Sequence, residues 1–487
     1  MPRFRVLLLC TFLSLGITVN LFAQTPDRSK PPELGPPPNL KVPPIQHLKL
    51  SNGLPVVLVE KNQVPLVDVI LQINAGSGMD PADKTGLASV TLAMLDEGAG
   101  TRNALQIADE IDYLGATLST GAGYHNSSVA LHVPVARLED ALTVMADVAL
   151  RPTFPTDELE RQRKQRLTAL AQAHDNPQTI AAVLSNRVLY GEQHPYGQQN
   201  GGVEASLRGF SAQDCKDFYA KYFHSNNAAL IIAGDVTAKT ILPKLESAFG
   251  KWKAGKAPSV TWPEVRQVAD RQILLVDKPG AAQSVIRIGR IGTTRLTEDY
   301  YAITVLNTIL GGSFTSRLNY NLRETHGYSY GAGSSFVLRP QPGPFIASAS
   351  VQTDVTDKAL TEFIKELNGI LGEITDEELT RAKNYEALGY PANFQTTGQI
   401  AGALVELVTY GLPDTYFNDY VKNILAVTKE QVQAAAKKYI DPDKISIVVV
   451  GDRAKIEAGV RALNLGEVKV MTIEEVLGKA PKVEGTD

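Results

Sequence analysis

Apolar residues recur along this chain at two spacings. Spacings of three and four mark helices; alternation or short unbroken runs mark strands. The segment that organises the rest is 86–95, where Leu87, Val90, Thr91 and Met94 fall on one helical face. Gly98, after Asp96 and Glu97, reads as its stop signal. Before it, residues 48–50, the Ser51-Asn52-Gly53 turn and 54–60 read as a hairpin, because Asn-Gly between apolar runs favours the tight turn that joins paired strands. A strand is predicted over 67–74. After the organising helix come a helix over 104–114 and strands over 117–121 and 126–133. Helices follow over 135–150, 155–174, 181–190 and 207–222, then an apolar strand over 228–234.

Periodicity lapses over 251–270, a polar stretch read as a linker, and then the pattern repeats. Strands are predicted over 272–276 and 284–290, and helices over 299–310, 316–324, 357–371 and 376–388. The two halves end alike. Ser211 and Thr428, Tyr222 and Tyr439, and Gly234 and Gly451 are each 217 residues apart. One register held across three separate marks indicates two copies of one unit. Strands and helices mix without strict alternation, which predicts an α+β class: a mixed or antiparallel sheet in each unit, with helices on one side. The divisions expected are 1–23, a leader 24–46, a first repeat 47–250, the linker 251–270, a second repeat 271–470 and a tail 471–487.

Composition sharpens the picture at a few points. The length of 487 residues exceeds what one hydrophobic core usually serves. The formal charge of −4 gives no general attraction to nucleic acid and no basic membrane surface. Residues 1–23 read as a cleaved export signal: Arg3 and Arg5 precede the apolar run 6–15, and Ala23 offers a small residue at the cut. That run is shorter than a membrane span, against the competing reading of an anchor. The expected location is the periplasm or the exterior. Residues 25–46 are proline-rich and read as an extended leader. Cleavage leaves only Cys215, read as a core residue, so no internal disulfide is expected.

Several stretches in order carry a family resemblance over about residues 47–460: LSNGLPVVLVE, INAGSGMDP, HPYG at 194–197, YFHSNNAALIIAGDV and GGSFTSRLNYNLRETHGYSYGAGSSF. They resemble the M16 peptidases of the insulinase and mitochondrial processing-peptidase type (M16B). The resemblance implies two homologous repeats forming a half-shell. In zinc-dependent members the segment matching 86–95 reads GLAHFLEHML and carries an inverted H-x-x-E-H motif. Here the histidine positions are Ser89 and Ala93, and the glutamate position is Leu92. The third ligand, a glutamate on a later helix, matches Ala169 when Glu160-Arg161 is aligned to the family pattern. Hydroxyl, methyl and isobutyl groups cannot replace imidazoles and carboxylates around zinc, nor activate water. None of the seven histidines is three or four residues from another, so none form a helical pair; His125 and His132 would need a third partner. No metal cofactor is expected in this chain.

The resemblance also assigns a second constellation. Family members carry an arginine and, seven residues on, a tyrosine; here these are Arg323 and Tyr330. They are expected to face the zinc site across a closed chamber. Arginine binds carbonyl or carboxylate oxygens through paired hydrogen bonds, and a tyrosine hydroxyl donates to an oxyanion. Tyr328 is an alternative to Tyr330, and Arg323 paired with Glu324 beside a half-buried Tyr330 is the structural alternative to both. Gly311-Gly312-Ser313 reads as a flexible turn. The expected function is the non-catalytic subunit of an exported metallopeptidase, inactive alone, whose H-x-x-E-H partner supplies zinc and whose substrates are peptides. The alternative is a structural or peptide-binding protein with no proteolytic role.

Overall fold

The computed structural model describes residue 35 and residues 40–482. The expected signal, most of the proline-rich leader and the last five residues lie outside these. The first repeat opens with strands β1 (Ile45–Lys49), β2 (Pro55–Glu60) and β3 (Leu66–Ile73). Helices α1 (Leu87–Ala93) and α2 (Ala104–Tyr113), strands β4 (Thr117–Ala122) and β5 (Ser127–Pro134), and helices α3 (Leu138–Leu150), α4 (Thr156–Ala173) and α5 (Pro177–Tyr190) follow. It closes with α6 (Glu204–Gly209), α7 (Ala212–Tyr222), β6 (Ala228–Gly234) and α8 (Ala238–Phe249). Residues 251–270 hold no helix or strand.

The second repeat begins with β7 (Gln272–Asp277), β8 (Gln283–Ile291) and α9 (Tyr300–Asn307). Strands β9 (Ser329–Phe336) and β10 (Pro344–Gln352) precede helices α10 (Thr356–Gly369), α11 (Asp376–Gly389), α12 (Thr397–Tyr410), α13 (Tyr416–Ala426) and α14 (Lys429–Tyr439). Strand β11 (Ser446–Gly451), helix α15 (Arg453–Ala462), strand β12 (Glu467–Met471) and helix α16 (Ile473–Leu477) complete it.

Each repeat builds a six-stranded sheet. The first runs β1-β2-β6-β3-β5-β4 and the second β12-β7-β11-β8-β10-β9. Strand for strand the orders match, and so do the directions of the shared pairs. β2 is parallel to β6 as β7 is to β11, and the other pairs within these five strands are antiparallel. The fold is therefore α+β with mixed sheets, as the repeat predicted. The outermost strands differ: β1 joins β2 antiparallel through the Asn-Gly hairpin, whereas β12 joins β7 parallel.

The helices are not confined to one side of each sheet. α3, α7 and α8 bury one face of the first sheet. The other face is covered by α12 from the second repeat, whose Ile400, Ala401 and Leu404 share a core with Val57, Val59, Ile231 and Ala233. Reciprocally, Ile180, Ala181 and Leu184 of α5 pack on Leu274, Val276, Val285, Val448 and Val450 of the second sheet. Each repeat thus lends a helix to the other.

Four expectations need correction. The predicted helix 207–222 is two helices, because Ser211 accepts the backbone N–H of Asp214 and starts a new one. Order begins before residue 47: β1 starts at Ile45, and the backbone N–H of Val42 donates to Asn418 Oδ1 at 3.0 Å. The segment read as a tail holds α16, whose Val476 is fully buried. Gly311 is no flexible turn. It lies within a π-helical turn, Thr308–Gly312, and against the backbone of Gly333 and Ser334, where a side chain would clash.

Candidate functional site

The organising helix α1 is held at its start by Asp80, which accepts the backbone N–H groups of Gly86 at 2.7 Å and Ala88 at 2.8 Å. Gly86 adopts a left-handed φ of 93° directly against Gly202, a place that tolerates no side chain. Burial pushes the Asp80 carboxyl up to about 7 despite those donors. Leu87, Ala88, Val90, Thr91 and Leu92 are buried. Ser89 and Ala93, one turn apart, are half-buried.

Facing Ser89 is α4, and the residue that reaches across is Arg166. Its Nη1 donates to Ser89 Oγ at 3.1 Å and its Nη2 to the Ser89 carbonyl at 3.0 Å. Its Nε is buried with no partner, and among the described residues no carboxylate lies within ion-pair distance. Burial lowers the pKa of this guanidinium below the usual arginine range. Ala169, one turn further along α4, is exposed. The nearby acids are engaged elsewhere: Glu97 by Arg161 and Gln162, Glu160 by Arg163, and Asp214 by Lys84. Arg163 also donates to the carbonyls of Leu207 and Phe210, fastening α4 to α6. Arg166 escaped the sequence reading because it is one of four basic residues among 161–166. The usable signal was its place directly before the buried Leu167, on the inward seam of the helix.

These residues do not fit zinc. Ser89 already accepts from a cation, Ala93 and Ala169 offer methyls, and Leu92 is 0% exposed in the core. Among the described residues, no three His, Cys, Asp or Glu side chains are grouped to hold a metal ion. The described histidines have other neighbours. His125 stacks on Trp262 and hydrogen-bonds Tyr196. His132 pairs with Asp68 at 3.1 Å, and His47 with Asp414 at 2.9 Å. Cys215 is buried, and burial pushes its thiol up to about 11.

The second constellation lies on the far edge of the second sheet. Arg323 belongs to a π-helical turn, Tyr320–Thr325. It pairs with Glu324 at 3.3 Å, and its guanidinium carbon lies 4.7 Å from the centre of the Phe314 ring. Tyr330 sits in the edge strand β9, where pairing with β10 is interrupted between Ser329 and Ala332. Ser329 Oγ accepts the Gly331 N–H at 3.0 Å inside that irregularity. A bulge re-aims the side chains it carries, and Tyr330 is 90% exposed. Tyr328 is half-buried and stacks on His326, with ring centres 4.9 Å apart. The two tyrosines thus differ in environment, although a regular strand would put them on one face.

A third cluster, not anticipated as a unit, joins the repeats. Tyr196 of the HPYG stretch is fully buried among Tyr124, Tyr190, His194 and Trp262 of the linker. Arg339 of the second repeat lies over Tyr196, 4.4 Å from its centre. Burial, with Arg339 and His194 adding to it, pushes the His125 imidazole down to about 4.

Comparison with known proteins agrees with this architecture. Residues 56–194 match the family model described as Insulinase (Peptidase family M16), and residues 209–386 match the model described as Peptidase M16 inactive domain. The non-peptidase homologue YmxG of Helicobacter pylori is 21% identical, spanning 84% of this chain and 95% of that protein. An uncharacterized zinc protease of Rickettsia felis is 26% identical over 69% of this chain and 80% of its own. A crystal structure of a peptidase M16 inactive domain from Pseudomonas fluorescens superposes with a TM-score of 0.78 at 28% identity, covering 84% of this chain and 98% of that one. With residues 56–194 and 209–386 matched by two models of one family and 84% of the chain matched in space, this chain belongs to the M16 peptidase family.

Proposed function

We propose that this chain is the exported, zinc-free subunit of a two-chain M16 peptidase. A partner carrying H-x-x-E-H supplies the metal and the base. This chain supplies Arg323 to hold peptide oxygens and Tyr330 to donate to the oxyanion. Tyr330 carries the proposal: a tyrosine 90% exposed on an edge strand is available to a second molecule, while Ser89, at a degenerate motif position of its own chain, is hydrogen-bonded by the Arg166 guanidinium. The relative named a non-peptidase homologue supports a non-catalytic role.

Co-expression with a zinc-bearing M16 paralogue tests this. The two chains are expected to co-purify, and the mixture to cleave unfolded peptides faster than the partner alone. No gain on mixing, or full rate with Arg323→Ala in the mixture, refutes it. The second reading, a peptide-binding protein that never cuts, is favoured by the cation at the degenerate motif. It is distinguished by peptide binding to the lone chain with no partner recovered.

A further inference from the structure

Arg166 is a built-in cation with spare donors. A guanidinium has five N–H groups; Ser89 takes two of them and Nε is buried, which leaves one N–H on each terminal nitrogen. Among the described residues no acid neutralises it: Glu97, Glu160 and Asp214 have cations of their own. A half-buried charge without a counterion is costly, and an incoming anion relieves that cost. On the helical grid Arg166 is flanked by Gln162 and Arg163 on the preceding turn and by Ala169 and Leu170 on the next, and on α1 Ala93 lies four residues beyond Ser89. Ala169 is exposed and Ala93 half-buried, so at these two positions a methyl stands where a longer side chain would fill the space.

We propose that the Arg166 guanidinium, braced by Ser89, is a carboxylate-binding site that takes the carboxylate of a peptide in the place where family relatives hold a metal. The charge there is retained while the chemistry changes: a fixed organic cation binds a carboxylate but cannot lower the pKa of water. The ligand is a peptide carrying a free C-terminal or side-chain carboxylate. This inference rests on the family alignment of α1 and is independent of any zinc-bearing partner.

Calorimetric titration of the full chain with an N-acetylated unstructured decapeptide tests it. Three forms are compared: free C-terminal acid, C-terminal amide, and amide with one internal glutamate. Wild type is expected to bind the acid at least about tenfold more tightly than the plain amide, as a charge-assisted bidentate contact allows. Tight binding of the glutamate form as well identifies any carboxylate as the ligand; tight binding of the acid alone identifies the chain end. Both outcomes support the site. Arg166→Gln is expected to abolish the acid-over-amide preference, and Arg166→Lys to retain part of it. Equal binding of acid and amide by wild type, or a preference surviving Arg166→Gln, overturns the proposal. If Arg166→Gln does not fold, the 15N resonance of Arg166 Nε in the wild-type chain replaces it. A shift on adding acid but not amide supports the site, and no selective shift overturns it. Failure here leaves the two-chain reading intact, because that reading turns on co-purification and on Arg323.

Discussion

Gln178, in α5 of the first repeat, donates from Nε2 to Ser350 Oγ of β10 in the second, 2.7 Å away. Its counterpart runs the opposite way: Gln72 of β3 donates to Thr409 of α12 at 3.0 Å. These bonds lie beside the two exchanged helices, each of which buries an apolar face on the other repeat's sheet. The repeats are therefore not independent folding units, despite the five-strand topology they share. Residues 40–255 and 256–482 expressed separately are expected to be insoluble or to melt without cooperativity, and expressed together to co-elute. Size-exclusion chromatography with thermal scanning of the three preparations checks this.

Restoring the letters of the zinc motif is not expected to restore zinc. In the variant Ser89→His, Leu92→Glu, Ala93→His, Ala169→Glu, the new ligands meet the Arg166 cation, which repels a second positive charge. Leu92→Glu also places a carboxyl in a fully buried position, expected to cost at least about 2 kcal/mol. Metal analysis of the purified variant should find no stoichiometric zinc. Adding Arg166→Ala should raise the zinc content.

Tyr330→Ala separates stability from function. A side chain so exposed contributes within about 0.5 kcal/mol to stability. Urea midpoints are expected to be unchanged. In a mixture with a zinc-bearing partner the same variant is expected to lower peptide turnover by about 10²-fold, the scale of a lost oxyanion donor. Tyr328→Phe, which keeps the stacked ring, is expected to leave the rate unaltered.

Two groups pull stability in opposite directions with pH. His125 is held down near 4, whereas an unfolded histidine takes a proton near 6.5. The unfolded state therefore binds more protons in this window, and stability is lost as pH falls from about 6.5 toward 4. Asp80 is held up near 7, whereas its unfolded counterpart ionises near 4. Here the folded state holds the extra proton, and stability is lost as pH rises from about 4 to 7. Because the two windows overlap, variants separate them: across urea midpoints at pH 4, 5.5 and 7, His125→Phe should tilt the profile toward loss of stability with rising pH, and Asp80→Asn toward loss with falling pH.

The C-terminal strap should matter more than its length suggests. Val476 is 0% exposed against α5, and Arg187 donates to the carbonyls of Glu475 at 3.2 Å and Val476 at 2.6 Å. Ending the chain at Met471 is expected to cost about 2–4 kcal/mol, read as a lowered Tm.

The duplication was legible because caps and strand ends are local signals: Ser211 and Thr428 each begin a helix by capping its third N–H, and β6 and β11 each end at a glycine followed by an aspartate. The exchange of α5 and α12 was not, because an apolar helical face declares that it will be buried but not by which sheet. The loss of ligands at Ser89, Leu92 and Ala93 was legible as letters, whereas the arrival of Arg166 was not. Its meaning depends on a contact between residues 77 positions apart. The alternation that placed Tyr328 and Tyr330 on one face failed because the Ser329 hydroxyl bonds to the backbone of Gly331 and disturbs the strand between them.

The unlike outer strands mark where the internal symmetry of the molecule ends. β1 comes from ahead of its sheet and runs antiparallel; β12 comes from behind its own and runs parallel. Neither can be a copy of the other. The likeness of the two halves therefore covers five strands of each sheet and stops at the sixth, which upstream sequence supplies in one half and downstream sequence in the other.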